Sequence, residues 1–298
     1  MANVLVELSD SLASAAERAG QSTVMVNARR RIPATGIAFA ADLILTADHV
    51  VERDDDIHVT LFDGTELGAT VGGRDPGSDL AVLRLERAAA QAAEASSTPA
   101  RIGQFALVLG RPSSEGLEAS LGIISAINGP VRTPRGGLLE RYLKTDAISY
   151  PGFSGGPTVA ADGSILGLNT SGFSRGSSIT IPVDFAWKTA EALAAHGHIR
   201  RGYLGIRSQP VEVAEDQQKT LRREQAMALL IVGVEKDSPA AKGGLMIGDI
   251  LVGVGGAAVA DHDELFAQLT GDMVGRSTPL EILRGGTVTT VAVVIGER

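Results

Sequence analysis

Pro151-Gly152-Phe153-Ser154-Gly155-Gly156-Pro157 is the stretch on which the reading of this chain turns. Glycine has no Cβ, so a chain rich in it turns tightly and brings its own N–H groups close to whatever binds there. A serine held in such a turn is placed to attack a carbonyl carbon while neighbouring N–H groups hold the oxygen that becomes negative. Glycine-rich loops serve many purposes, however, so the residues upstream decide what this one is for.

Leu43-Ile44-Leu45-Thr46-Ala47-Asp48-His49-Val50-Val51 ends a strand-like apolar run on a histidine, and Ser78-Asp79-Leu80-Ala81-Val82-Leu83-Arg84-Leu85 opens another on an aspartate. Serine is a poor nucleophile near neutral pH; it needs a base beside it, and the base needs a group that orients it. The chain order His49, Asp79, Ser154 is the chymotrypsin order, distinct from those of subtilisin and the α/β-hydrolases. Thr46 to Val50, Ser78 to Leu83, and Thr145-Asp146-Ala147 leading to Gly152 through Pro157 resemble the trypsin-like protease domain of the HtrA (DegP/DegS-like) family. Asp75-Pro76-Gly77-Ser78-Asp79, Ile102-Gly103-Gln104-Phe105-Ala106-Leu107 and Gly122-Ile123-Ile124-Ser125 continue that resemblance in order.

The chain has 298 residues, which suits one to two domains. A net charge of −8 disfavours nucleic acid or an anionic membrane as the main partner. With no cysteine there is no disulfide, thiol nucleophile or thiolate metal site. Residues 1–10 carry neither a basic flank nor a sustained apolar stretch, so they do not read as a signal peptide. No apolar run approaches the ~20 residues of a membrane span. Glu52-Arg53-Asp54-Asp55-Asp56 lacks the oxygen-ligand spacing of a calcium loop and reads as a surface loop. No metal or organic cofactor is expected.

Along the chain, residues 3–20 read as a helix. Short β runs follow at Val24–Val26, Thr35–Phe39, Asp42–Thr46, His58–Phe62 and Leu80–Leu85, spaced as in a barrel or sandwich. Arg29-Arg30-Arg31 reads as a solvated hairpin tip. The small-residue stretch Ala88–Ser97 is expected to be a flexible or partly helical connector. A second strand-rich block runs from Phe105 to Ile181, then a helix from Pro182 to His196, then a linker at Gly197–Arg201. From Gly202 the landmarks Arg201-Gly202-Tyr203-Leu204-Gly205-Ile206, Ser238–Leu245 and Gly248–Val254 resemble a PDZ domain. The expected fold is therefore mainly β. A helical segment at 1–20 precedes a trypsin-like double β-barrel over 21–198, and an α+β PDZ domain follows over 202–298.

What the resemblance implies for individual residues goes further. His49 takes the proton of Ser154, Asp79 orients His49, and the N–H groups of Gly152 and Ser154 form the oxyanion hole. Trypsin has an aspartate where this chain has Phe153, and HtrA-like proteins usually have asparagine. Phenylalanine cannot pair with a freed N-terminal amine, so activation by N-terminal cleavage is not expected, and the resting shape of this loop is left open. Ile148 and Ser149 are expected to build the specificity pocket, with Thr170, Ser171 and Gly172 as its flanking edge strand. Ile148, six positions before Ser154, stands where a trypsin pocket has an acid. Cleavage after small or aliphatic residues follows. Asp146 is read as a brace of the second barrel, and Asp48 as no partner of His49. His58, His196 and His198 read as surface or packing residues. In the PDZ half, Tyr203, Leu204, Gly205 and Ile206 are expected to offer N–H groups to a peptide's terminal carboxylate, and His262 opens the groove helix. Pro130–Gly137 lies where relatives keep a loop that senses the PDZ domain; an ordinary hairpin tip is the equal alternative.

The function implied is a serine endopeptidase of protein quality control and stress response, acting on unfolded or misfolded protein. Its PDZ domain binds peptide C-termini and tethers substrate or regulates activity. The alternative is a weakly active or inactive peptide-binding chaperone or scaffold, which Phe153 keeps open. An esterase fits less well, because the motif and chain order differ from the α/β-hydrolase elbow. A homotrimer is implied by relatives, although the first aromatic here is Phe39. Localisation is expected to be cytoplasmic if Met1 is native and periplasmic or otherwise extracytoplasmic if a leader was removed.

Overall fold

The computed structural model describes residues 3–133, 137–173, 178–221 and 223–297. Two compact units divide the chain, Met1–Ile199 and Arg200–Arg298.

The first unit opens with helix α1 (Val4–Gly20), capped by the Asn3 side chain, which accepts from Leu5 N. Its C-terminal half supplies Ala15 and Ala19 to the core, while Val4, Leu5 and Val6 stay exposed. Six strands then close a barrel: β1 (Thr23–Asn27), β2 (Ala34–Ala40), β3 (Leu43–Ala47), β4 (Ile57–Thr60), β5 (Glu66–Asp75) and β6 (Leu80–Leu85), in the order β1-β2-β3-β6-β5-β4. Closure removes the free edges that an open sheet of this length would expose. Strand β5 is absent from the sequence reading. Gly68, Gly72 and Gly73 obscure its β signal, and its register with β6 shifts between Val71 and Gly73. Gly73 has a packing reason. A Cβ there would lie 2.5 Å from the Leu193 carbonyl oxygen, so only glycine lets the following helix approach.

A second barrel contains β7 (Phe105–Ser113), β8 (Gly116–Asn128), β11 (Tyr142–Thr145), β12 (Pro157–Ala160), β13 (Ile165–Thr170) and β14 (Ile179–Pro182), ordered β11-β14-β13-β12-β7-β8. The short pair β9 (Val131–Arg132) and β10 (Leu138–Leu139) stands apart as its own hairpin. Helix α2 (Val183–His196) ends on Gly197 at φ +78 and packs on β5 and β6 of one barrel and β13 and β14 of the other. The 88–97 stretch, expected as a flexible or partly helical connector, contains no helix. It runs extended, with Ala89 N and Ala93 N donating to Ala41 O and Ala38 O, and Glu94 O accepting from Ile165 N. Its backbone is thus satisfied by both barrels, and helix formation would forfeit those bonds. Arg29 also departs from the solvated reading. Its guanidinium closes the β1–β2 turn by donating to Ile32 O at 2.6 Å, and burial lowers its pKa.

In the second unit β15 (Gly202–Tyr203) pairs with β22 (Gly296–Glu297). The main sheet runs β16 (Ile206–Glu212), β17 (Met227–Val234), β18 (Ile250–Val254), β20 (Ser277–Arg284), β21 (Thr287–Val294), with β19 (Ala257–Ala258) paired to β18. Helices α3 (Glu215–Leu221), α4 (Pro239–Gly243) and α5 (His262–Gln268) complete it. Leu229, Ile231, Leu251, Leu265, Leu280 and Ile282 form its core. The mainly β double barrel followed by a PDZ fold is thus the architecture of the chain.

Candidate active site

His49 sits in a 3₁₀ turn, Asp48–Val50, directly after β3. Its neighbour Asp48 is only 1% exposed and pairs with Arg74 Nε at 2.6 Å, so it faces away from the imidazole and anchors the turn to β5. Asp79 ends a turn in which the Asp75 carboxylate accepts from Gly77 N, Ser78 N and Ser78 Oγ. Asp79 itself has φ +56, a left-handed conformation that costs a non-glycine residue of order 1–3 kcal/mol and persists only where the surroundings over-determine it. Here they do: the Asp75 bonds fix one side, and Asp79 O accepts from Asp48 N at 3.0 Å on the other.

His49 and Asp79 meet twice. Asp79 Oδ2 lies 2.8 Å from His49 Nδ1, and Asp79 Oδ1 accepts from His49 N at 2.9 Å. A carboxylate oxygen accepts, so His49 Nδ1 is the donor of this pair. Thr170 Oγ1 donates to the same Oδ2 and accepts in turn from Gly172 N at 2.9 Å. Thr170 is fully buried, with its side-chain hydroxyl turned to Asp79. Gly172 belongs here too. A Cβ on it would sit 2.9 Å from both Asp79 Cγ and His49 Nδ1.

Ser154 follows Gly152, whose φ of +93 makes a tight turn closed by Phe153 N donating to Tyr150 O at 3.0 Å. Among the described residues, the N–H groups of Gly152 and Ser154 have no protein acceptor. The Ser154 hydroxyl shares a 3.0 Å hydrogen bond with Ser171 Oγ and accepts weakly from Ser171 N; no hydrogen bond joins it to His49. Phe153 is fully buried against Val108 and Ala147, with the Tyr150 ring edge-on at 5.4 Å. Of the expected pocket residues, Ile148 is 58% exposed and Ser149 accepts from Asn169 Nδ2 at 2.6 Å. Asp146 braces the barrel by accepting from Ile123 N at 2.7 Å.

A trypsin-like peptidase domain matches residues 34–168 and a PDZ domain matches residues 202–295. The HtrA-type protease AlgW, solved with a tripeptide, is 30% identical with a TM-score of 0.75, the match covering 96% of this chain and 97% of that one. The chain belongs to the HtrA family. A serine endoprotease structure from Yersinia pestis is likewise similar to this HtrA-family chain, at 28% identity and TM-score 0.78 over 96% of this chain and 98% of that one. Probable periplasmic DegP-like serine endoproteases of Halomonas elongata and Pseudomonas fulva are each 34% identical, over 90% and 85% of this chain. The chain spans only 57% and 53% of those two relatives.

In the PDZ unit of this HtrA-family chain, Leu204 and Gly205 offer backbone N–H groups without protein acceptors among the described residues. The loop is held open by Leu204 O accepting from Ala240 N and Gly205 O accepting from Glu235 N, each at 2.8 Å. Tyr203 bonds through its hydroxyl to Glu235, and Ile206 starts β16, the edge of the main sheet. His262 Nε2 lies 3.1 Å from both Ser208 Oγ and Ser208 O on that edge strand. Of the loop at Pro130–Gly137, residues 134–136 lie outside the described residues; Thr133 Oγ1 donates to Gly77 O at 2.6 Å. No helix among the described residues is long and apolar enough to cross a membrane, and no cluster of metal-ligating side chains occurs among them.

Proposed function

We propose that this chain is a serine endopeptidase in which Ser154 is the nucleophile, His49 the general base and Asp79 the orienting acid. The observation that carries the reading is the His49–Asp79 pair, doubly hydrogen-bonded beside a serine loop whose Gly152 and Ser154 N–H groups have no acceptor among the described residues. To react, the Ser154 hydroxyl leaves Ser171 and donates to His49 Nε2. Its oxygen attacks the scissile carbonyl carbon as the proton passes to His49, and Asp79 stabilises the imidazolium. Gly152 N and Ser154 N receive the oxyanion, a contribution worth roughly 100- to 1000-fold in turnover per donor. His49 then returns the proton to the departing amine, and water repeats the sequence to release the acyl group.

Substrates are unfolded or misfolded polypeptides cut after small or aliphatic residues. The absence of an acid at Ile148 and Ser149 supports that preference. The free edge of β16 with the Leu204 and Gly205 amides supports capture of peptide C-termini by strand addition, tethering substrate or regulating the protease. An extracytoplasmic setting is supported by the periplasmic designation of the Halomonas and Pseudomonas relatives. One observation favours a second reading, a peptide-binding protein with little proteolysis: the Ser154 hydroxyl rests on Ser171. Casein digestion by wild type and Ser154→Ala separates the two. Digestion lost only in the variant supports the peptidase, and equal negligible digestion supports the binder.

A further inference from the structure

Thr35 belongs to the first barrel, on β2, yet its polar atoms reach into the serine loop of the second. It is fully buried. Its hydroxyl donates to Gly152 O at 2.7 Å and accepts from Arg111 N at 2.9 Å. Its N–H donates to Ser154 O at 3.2 Å, and its carbonyl accepts from Thr46 Oγ1 at 2.7 Å. Glycine at 155 leaves room for the Thr35 carbonyl, which a Cβ there would strike, and a Cβ at Gly156 would lie 3.0 Å from the Thr35 methyl.

The consequence is a loop fixed plane by plane. The peptide group between Gly152 and Phe153 is held at both ends, its oxygen by Thr35 Oγ1 and its N–H by Tyr150 O. The group between Ser154 and Gly155 is held likewise, its oxygen by Thr35 N and its N–H by Asn169 O at 2.8 Å. These two planes bracket the N–H of Ser154 and follow that of Gly152. With both fixed, the Ser154 N–H is held from either side and the Gly152 N–H is restrained from its C-terminal side. An oxyanion donor works only when it already points at the place where charge develops, about 2.7–3.1 Å away.

We propose that Thr35 is a positioning residue for this serine loop, with the first barrel setting through one hydroxyl the direction of the N–H groups that the second barrel offers to the oxyanion. The proposal rests on the reading of Gly152 N and Ser154 N as oxyanion donors. Phe153 supports the loop by packing on Val108, Ala147 and Tyr150, whereas Thr35 holds its peptide planes by hydrogen bonds.

Thr35→Val keeps the shape and removes the hydroxyl, leaving Gly152 O without its donor and Arg111 N without its acceptor. Because donor loss costs roughly 100- to 1000-fold and this donor is loosened rather than removed, kcat on a chromogenic peptide should fall about 10- to 100-fold with KM within about twofold. Inhibition by a peptide boronate, which forms a tetrahedral adduct on the serine, should weaken by the same factor. Thr35→Ser retains the hydroxyl and should restore both readouts to within about threefold of wild type. Wild-type kcat and boronate affinity in folded Thr35→Val would overturn the proposal, as would Thr35→Ser falling as far as Thr35→Val. Should Thr35→Val fail to fold, Thr35→Cys offers a weak donor of similar size; an intermediate loss of kcat supports the role and wild-type kcat overturns it. Ser154→Ala runs alongside. Residual wild-type activity there removes the parent reading, whereas inactive Ser154→Ala beside a normal Thr35→Val removes only the role of Thr35.

Discussion

Gly172→Ala puts a single methyl group against the His49–Asp79 pair, and the structure sets the size of the effect. The new Cβ would stand 2.9 Å from Asp79 Cγ and 2.9 Å from His49 Nδ1, with Asp79 Oδ2 nearer still. Ordinary contact begins near 3.4 Å, so the pair must retreat by at least about 0.5 Å. Asp79 cannot swing freely, because His49 N and Thr170 Oγ1 both hold its carboxylate. The displacement therefore passes to the imidazole. Misplacing a reacting group by about 1 Å can cost 100-fold, so kcat should fall about 10- to 100-fold, or about 1.4–2.7 kcal/mol of barrier. Gly172 does not adopt a left-handed φ, and the obstructing atoms are side-chain atoms, so the fold should survive. Steady-state hydrolysis of a peptide substrate, read beside a thermal melt, makes the test. A folded Gly172→Ala with wild-type kcat would refute the reasoning, because it would show that this pair need not hold its geometry.

Four further outcomes are expected. Phe153→Ala empties a fully buried ring site and should cost about 3–5 kcal/mol in chemical denaturation. Gly110→Ala would set a Cβ 2.6 Å from Phe153 Cε1 and should cost about 1–3 kcal/mol by overpacking, with a fall in kcat because the displaced ring carries the serine loop. In the PDZ unit, burial of Asp249 raises its pKa, but hydrogen bonds from Arg284 and from Met246 N, with the Arg284 charge, outweigh it and hold the pKa below the usual carboxylate value. Stability from this group is full above the unfolded pKa near 3.9 and is lost as pH falls through the lower folded value, since the unfolded chain then binds more protons. Asp249→Asn should therefore cost about 2 kcal/mol at pH 7 and flatten the acid limb of the melting profile; an unchanged acid limb would contradict the pairing. Finally, Thr170→Val removes the hydroxyl that donates to Asp79 and should lower kcat about tenfold at unchanged KM, with Thr170→Ser recovering most of it.

Much of this was legible in the sequence because the informative residues cluster. Histidine after an apolar run, aspartate before one, and serine among glycines each sit at a strand end, where a short motif also fixes the backbone. The barrel count was harder. Strand β5 carries three glycines and a register shift, so periodicity reports a gap where the backbone is continuous. The 88–97 stretch looks helix-prone by composition, yet its N–H groups find better partners on the two barrels. Helix α3 has no buried residue, so it leaves no apolar stripe to read. Thr35 as a site residue, and the bond of Thr170 to Asp79, were invisible for a different reason. Each acts through one hydroxyl on a residue more than 90 positions away, or nearly 120 in the case of Thr35 and Gly152, and no local pattern records such a pairing. Ser171 was read as pocket edge from its position; its bond to Ser154 depends on a rotamer that spacing does not encode.

The central claim is that Ser154, activated by His49, is the one reactive hydroxyl of this chain. Intact-mass analysis of the full chain after exposure to a fluorophosphonate, with the adduct mapped by peptide sequencing, tests it most directly. The account predicts one adduct, on Ser154, absent from Ser154→Ala and formed far more slowly in His49→Ala. No adduct on the wild-type chain, or an adduct that persists in Ser154→Ala, would contradict it.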